Sequence, residues 1–165
     1  ATEPPHLFSG DALFVGGCGN WIQRTGLGRL LAAGTVARSS DKHARENMAA
    51  MMKLASLAPE TRVWCAHEYT LKNLHYCLKV EPSNQALKQK AQWCIQRRTT
   101  PGPCFGFQPT VPSTIGEELS YNVFMRAKTM EEMLRLREGK DTFKGSGEPD
   151  DPELVALAST PSHIP

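Results

Sequence analysis

The sequence predicts an α/β (α+β) fold, with short apolar strands concentrated in its first half and helices in its second. Three observations favour this class: a strand-like beginning over residues 7–15, a helix-to-strand step ending at residues 62–66, and two helical patterns between residues 70 and 98. At 165 residues the chain has the length of one ordinary domain. We therefore expect one main core with appended segments.

The N-terminal part alternates apolar segments with turn-forming residues. Residues 7–15 contain two strand-like segments separated by a turn at residues 9–11, and a glycine-rich stretch follows at residues 16–19. Residues 20–46 are basic, weakly patterned and interrupted by three glycines. This stretch predicts an atypical insertion or loop.

The middle of the chain combines helical patterns with one buried strand. Apolar residues recur at helical spacing over residues 44–55, and residues 62–66 are typical of a buried strand that leads directly to His67. A further helix is predicted from about Asn84 to Arg98. Between them, one helical face carries Leu71, Leu74 and Leu78. His67 is therefore expected at a strand-to-helix junction.

The C-terminal part begins with a connection, because residues 99–112 hold four prolines and two glycines. Two capping-box patterns follow and predict helices: Thr114 with Glu117, and Thr129 with Glu132. Residues 145–165 are rich in Gly, Ser, Pro and Asp. They predict a poorly ordered tail apart from one helical turn near residues 154–158.

Composition excludes several classes of partner. The charged fraction is 22% and the net charge is +2, and the basic residues do not form a stripe. This distribution argues against a nucleic-acid partner. An apolar run of the roughly 18 residues needed for a membrane span is missing, as is a signal-peptide pattern. Five cysteines without a CxxC pair favour a reducing compartment. We expect a cytoplasmic monomer, with a mitochondrial form as an alternative.

Two side chains stand out as candidate metal ligands because each follows an apolar strand. Asp11 supplies a carboxylate and His67 an imidazole, both common ligands of divalent metals. Each also has an ordinary explanation. An Asp after Gly commonly forms a turn, and a His at a strand end is commonly a surface or hydrogen-bonded residue. Spacing alone leaves both interpretations open.

A series of sequence segments points to a family. In chain order they are residues 8–19, 65–70 with Asn73 and Leu74, 80–82, 109–114, and Glu117, Glu118, Tyr121, Asn122 and Arg126. In this order they resemble the C-terminal half of the hydroxyacylglutathione hydrolases, the glyoxalase II family. The resemblance covers most of residues 3–147.

The resemblance implies a fold and a division of the chain. Residues 1–69 would be the C-terminal portion of a metallo-β-lactamase αββα sandwich, with residues 20–46 as an atypical insertion. Residues 70–144 would form the helical hydroxyacylglutathione hydrolase C-terminal domain. Residues 145–165 would be a disordered tail.

The resemblance also implies a chemistry. Two divalent metal ions, Zn with Fe or Mn as alternatives, would activate a water to attack the thioester of an S-(2-hydroxyacyl)glutathione, without a protein nucleophile. Asp11 matches the carboxylate that bridges both metals, and His67 the final imidazole ligand. Tyr69 matches the tyrosine that binds the glutathione backbone, while Arg137 and Lys140 match the pair that meets its glycine carboxylate. Without the resemblance, such a basic pair is ordinarily a solvated helix face.

Departures from the family pattern bear on activity. The family's His-x-His-x-Asp-His cluster and a following lone His precede the position of Asp11, and residues 1–10 do not contain them. Asn20 replaces a lysine that helps to hold glutathione, and residues 100–107 form a second extension. We expect this fragment alone to be inactive, because Asp11 and His67 cannot close a binuclear site.

Three functions remain open. The first is thioester hydrolysis as part of a longer protein, releasing glutathione and a 2-hydroxy acid such as D-lactate. The second is a non-catalytic paralogue or truncated isoform that acts as a glutathione-binding or regulatory module. The third is an incomplete product that does not fold stably, since a partial sandwich exposes strand edges and apolar faces.

Overall fold

The computed structural model of the chain describes residues 3–20, 33–102 and 106–159, and for residues 33–42 it describes the backbone alone. The strands and helices in this part of the chain follow one another as β1 (His6–Gly10), β2 (Leu13–Phe14), β3 (Gly17–Cys18), α1 (Ala33–Ala55), β4 (Arg62–Cys65), α2 (Thr70–Val80), α3 (Gln85–Thr99), β5 (Ser113–Thr114), α4 (Ile115–Tyr121), α5 (Val123–Arg126), α6 (Met130–Thr142) and α7 (Pro152–Ser159).

The described strands form two small sheets. One has the order β1-β4-β5, with β1 parallel to β4 and β5 antiparallel to β4, and the other is the β2-β3 hairpin. The connection from β1 to β4 is long and contains α1, as a parallel pair requires. Because β1 and β4 run in the same direction, the residues that follow them lie at the same edge of the sheet.

The core joins the sheets to the helices. Leu13 and Val63 from the strands belong to the same buried hydrophobic cluster as Leu74, Leu87 and Phe124 from the helices. The predicted apolar face of α2 is part of this cluster. The domain boundary at residue 70 stays a prediction, and packing is continuous across it.

The capping patterns correctly located two helix starts. At α4, the Thr114 hydroxyl accepts from the Glu117 N–H, and the Glu117 carboxylate accepts from the Thr114 N–H at 2.9 Å, which is a complete capping box. At α6, Thr129 accepts from the Glu132 N–H at 3.1 Å. The Glu132 carboxylate, however, accepts from the N–H of Lys128, so this box is only half formed.

The prediction of a loop over residues 20–46 is wrong for its second half, because α1 begins at Ala33. Gly34 does not prevent the helix, although a glycine in a helix costs about 1 kcal/mol relative to alanine. Further along α1, Ala44 and Met51 are buried in the core. Tertiary packing of a long helix outweighs such a local penalty. Residues 21–32 lie outside the described part of the chain.

The helical turn predicted near residues 154–158 is confirmed and belongs to a longer helix, α7 (Pro152–Ser159), so the prediction of a poorly ordered tail is wrong for residues 152–159. The Asp151 carboxylate accepts from the N–H groups of Glu153 and Leu154, and Pro152 occupies the first helical position, where a missing N–H costs nothing. Leu154 and Ala158 are fully buried against the rest of the molecule. Residues 160–165 lie outside the described range, as do residues 103–105 of the predicted second extension.

The mixed α/β class is confirmed, whereas the metallo-β-lactamase sandwich stays a prediction. Within the described residues, none of the helices combines the length and the apolar character that crossing a bilayer requires.

Candidate functional site

The two candidate metal ligands lie together at the ends of neighbouring strands. Asp11 follows β1 directly, and His67 comes two residues after β4, whose chain is tied to β1 by a hydrogen bond from Ala66 N–H to the Gly10 carbonyl at 3.1 Å. The Asp11 Oδ1 and His67 Nε2 atoms are 3.5 Å apart. Both side chains are exposed to solvent. The parallel pairing of β1 and β4 therefore juxtaposes two side chains that are far apart in sequence.

Aromatic rings flank the imidazole of His67. The ring of Tyr69 stacks on it with centroids 5.0 Å apart and planes 21° apart. The ring of Phe14 lies 6.2 Å from the imidazole and meets Tyr69 edge-on at 5.4 Å. Phe14 is buried, whereas Tyr69 is 49% exposed. These contacts restrict the orientation of the imidazole and leave the Tyr69 ring accessible beside it.

The turn that carries Asp11 is closed by backbone contacts. The Ala12 N–H donates to the Ser9 carbonyl at 3.1 Å, and the Gly19 N–H donates to the Ala12 carbonyl at 3.3 Å. A Cβ atom at Gly19 would lie 2.0 Å from the carbonyl oxygen of Asp11, so no side chain can be accommodated there. The glycine in the family-like segment is thus explained by its close approach to Asp11.

A buried carboxylate anchors the glycine-rich loop between β2 and β3. The fully buried Glu118 accepts hydrogen bonds from the Gly16 N–H at 2.9 Å, the Tyr121 hydroxyl at 2.9 Å and the Asn122 amide at 2.8 Å. Burial raises the pKa of the Glu118 carboxyl above its ordinary value, and the donated hydrogen bonds offset part of that rise. Helix α4 is thereby tied to the strand region.

Two buried amides complete the support of this loop. Asn73 Nδ2 donates to the Val15 carbonyl at 3.1 Å, and Asn122 Nδ2 donates to the Gly17 carbonyl at 3.2 Å. Sequence reasoning used Asn73 and Asn122 only as marks of resemblance and missed this role. For Asn73 the available signal was a polar residue among apolar residues of α2, since such a residue must find a partner when buried.

Arg137 does not lie on a solvated helix face. Its side chain is buried, and its guanidinium donates to the Cys18 carbonyl at 3.2 Å and to the Asp141 carboxylate at 2.6 Å. Its Nε–H has no acceptor among the described residues. An unpaired buried donor is costly, so this position favours an additional acceptor.

Lys140, the second member of the predicted pair, lies one turn further along α6. Its ammonium donates to the Lys72 carbonyl at 2.8 Å and lies 5.5 Å from the ring centroids of both Tyr76 and Phe143. Burial lowers the pKa of Lys140 to about 7, and the charges of Arg137 and Lys72 act in the same direction. One of its three N–H donors is committed, which leaves capacity for an anion.

The donor set at the strand ends fits part of a metal site. A carboxylate and an imidazole at Asp11 and His67 suit Zn or a similar divalent metal. In the part of the chain that the structure describes, no cluster of three or more His, Cys, Asp and Glu side chains is suitably placed to hold a metal ion. Asp11 and His67 could therefore occupy two coordination positions of a metal site. The other metal ligands would have to be supplied by other residues.

Comparison with known proteins identifies a family for the C-terminal part of the chain. Residues 68–143, which begin next to His67 and include Tyr69, Arg137 and Lys140, match the family model described as Hydroxyacylglutathione hydrolase C-terminus. Residues 68–143 belong to the hydroxyacylglutathione hydrolase family. The match ends before α7 and before the segment that leads into it.

Several curated relatives extend the similarity toward the N-terminus. The chain is 38% identical to the Hydroxyacylglutathione hydrolase-like protein of Gallus gallus, over 94% of the chain and 51% of the relative. It is 37% identical to the Hydroxyacylglutathione hydrolase of Synechococcus sp. (strain WH7803), over 87% of the chain and 47% of the relative. It is 34% identical to the Hydroxyacylglutathione hydrolase cytoplasmic of Arabidopsis thaliana, over 87% of the chain and 51% of the relative. The chain thus spans about half the length of these relatives.

Proposed function

We propose that this chain is part of a thioester hydrolase that converts an S-(2-hydroxyacyl)glutathione, such as S-D-lactoylglutathione, to glutathione and a 2-hydroxy acid. The observation that carries the proposal is the 3.5 Å approach of Asp11 to His67 at the ends of two parallel strands. The proposal is supported by relatives named hydroxyacylglutathione hydrolase.

In this proposal, Asp11 and His67 are two of the ligands of a pair of divalent metal ions, Zn with Fe or Mn as alternatives. The bound metals would supply an activated water at neutral pH and polarise the thioester carbonyl. The Asp11 carboxylate offers two oxygens, and the stacked ring of Tyr69 and the tilted ring of Phe14 hold the His67 imidazole in place. Further ligands would come from residues outside the described part of the chain.

The remaining site residues would bind and orient the glutathione moiety. Tyr69, half exposed beside His67, would hydrogen-bond the peptide backbone. The free Nε–H of Arg137 and the uncommitted donors of Lys140 would meet the glycine carboxylate. Because Asp141 and the Cys18 carbonyl already hold Arg137, little side-chain entropy would be lost on binding.

A second candidate function, a non-catalytic glutathione-binding or regulatory module, is favoured by a different observation. Among the described residues no group of three or more His, Cys, Asp and Glu side chains is placed to hold a metal ion, whereas the cations of Arg137 and Lys140 are already held in place. Both candidates imply a glutathione-type ligand and differ in catalysis. The cytoplasmic location, the monomeric state and the absence of nucleic acid and membrane partners stay predictions.

The test is release of glutathione thiol from S-D-lactoylglutathione by the protein isolated at its natural length. We expect hydrolysis that falls at least about 100-fold in Asp11→Asn and in His67→Gln, because even residues that merely support metal ligands contribute 10–100-fold. Asp150→Asn, which also removes one exposed carboxylate, is the matched control and should retain the rate.

Two outcomes would separate the candidates. If the natural-length protein binds glutathione but does not hydrolyse the thioester, the hydrolase proposal is wrong and the binding module is favoured. If hydrolysis persists in both Asp11→Asn and His67→Gln, these two residues do not contribute to catalysis.

A further inference from the structure

A cavity of about 190 Å³ lies beside Tyr69 and the beginning of α2, and no predicted site residue other than Tyr69 lines it. Its walls come from the beginning of α2, from Arg98 on α3 and from residues 146–149. The last of these segments lies beyond residues 68–143, the range that matches the family. The cavity is therefore a feature that the family assignment leaves unexplained.

The wall formed by residues 146–149 is fixed by its own contacts. The Ser146 hydroxyl donates to the Asp151 carboxylate at 2.6 Å and accepts from the Glu148 N–H at 3.2 Å. Gly147 has a φ of +73°, and a Cβ there would lie 2.5 Å from the Cβ of Lys72. The wall thus approaches the α2 backbone closely enough to require glycine.

Helix α7 holds this wall against the molecule. His75 is fully buried, with Nε2 3.2 Å from the Glu153 carboxylate and Nδ1 3.8 Å from that of Asp151. Lys79 forms an ion pair with the same Glu153, and Leu154 is fully buried. Ordered packing on α2 therefore extends to the segment that lines the cavity.

The cavity carries two cations without carboxylate partners. Among the described residues, neither Lys72 nor Arg98 forms an ion pair, although Arg98 lies 3.9 Å from the ring centroid of Phe107. Unpaired cations that share a small cavity favour an anionic group of the ligand.

The two lining carboxylates differ in their commitments. Glu68 accepts from the Thr110 N–H at 3.1 Å and from the Thr70 hydroxyl at 2.9 Å, so its oxygens are engaged. Glu148 also lines the cavity and forms no ion pair with another described residue. One available anion and two available cations in the same cavity lining complement a zwitterion.

We propose that this cavity binds the α-amino acid end of the γ-glutamyl residue of a glutathione thioester. Lys72 and Arg98 would bind its α-carboxylate, and Glu148 would bind its α-ammonium group. This inference rests on the proposed function and extends it, since it adds a subsite for the end of glutathione opposite the glycine. Lys72 connects this subsite with the one proposed for the glycine end, because its carbonyl accepts from Lys140 and the residue also lines the cavity.

The experiment compares two peptides that differ only in the γ-glutamyl residue. Binding of S-methylglutathione and S-methylcysteinylglycine to the 165-residue chain is measured by calorimetry, with circular dichroism to verify folding. We expect S-methylglutathione to bind about tenfold more tightly, the effect of one charge-assisted hydrogen bond. Lys72→Met and Arg98→Met should reduce this preference, as should Glu148→Gln.

The matched control is Lys53→Met, which removes an exposed lysine at the end of α1, away from the cavity, and should keep the preference. Equal binding of the two peptides to the unaltered chain would overturn the cavity proposal. If Lys140→Met then weakened the binding of both peptides, the proposed binding of glutathione through its glycine end would still stand. Failure of the folded chain to bind either peptide would count against both proposals.

Discussion

The carboxylate of Glu118 accepts a hydrogen bond from the backbone N–H of Gly16 at 2.9 Å, across 102 residues of sequence. Through this contact, α4 determines the path of the loop that follows Asp11 and the β2 strand. The same carboxylate is fully buried and accepts from Tyr121 and Asn122 as well. The candidate metal ligand at the strand end is therefore supported by the helical part of the molecule.

Replacing Glu118 with glutamine should destabilise the protein by about 1–3 kcal/mol, the usual cost of leaving buried polar groups unsatisfied. Gly16, Tyr121 and Asn122 donate to the carboxylate, and an amide NH₂ would place a further donor against them. The measurement is the free energy of unfolding in urea. Glu138→Gln alters an exposed glutamate and is the control; equal effects of the two substitutions would contradict the anchoring role.

Lys140 should make the stability depend on pH above neutrality. Its folded pKa of about 7 is lower than the ordinary value of 10.5, so between these pH values the unfolded chain binds more protons than the folded one. The free energy of unfolding should therefore rise with pH across this window. Lys140→Met should flatten the rise, whereas Lys128→Met, at an exposed lysine, should not. A rise of unchanged slope in Lys140→Met would rule out this cause.

Helix α7 should contribute measurably to stability. Leu154→Ala removes a fully buried side chain and should cost about 2–5 kcal/mol in the free energy of unfolding. Val155→Ala, at the next residue of the same helix, alters a side chain that is 38% exposed and should cost much less, about 0.5 kcal/mol. Equal and small effects in urea unfolding would mean that α7 does not dock in solution.

Local signals in the sequence were sufficient to predict many of the helices and strands. The spacing of Leu71, Leu74 and Leu78 predicted α2, and the pairs at Thr114 and Thr129 marked the beginnings of two helices. These features depend on residues three or four positions apart. Sequence patterns report such short-range interactions directly.

What the sequence patterns missed depends on distant contacts. The composition around α7, rich in Gly, Ser, Pro and Asp, predicts a poorly ordered tail with one helical turn, yet the buried Leu154 packs on elements far away in sequence. The Asp151-Pro152 cap was a local signal that composition obscured.

The candidate site was also predictable only in part. The residues after β1 and β4 identified Asp11 and His67, and the parallel pairing of the strands explains their proximity. The burial of Arg137 could not be read from its spacing to Lys140, because it results from the Cys18 carbonyl and from packing around α6.

The most direct test of the central claim is the metal content of the natural-length protein, measured by elemental mass spectrometry after dialysis. The account predicts two divalent metal ions per chain, with substantial loss of metal in both Asp11→Asn and His67→Gln and full retention in Asp150→Asn. Full metal content in both ligand variants would contradict the assignment of the Asp11–His67 pair, 3.5 Å apart, to a metal centre.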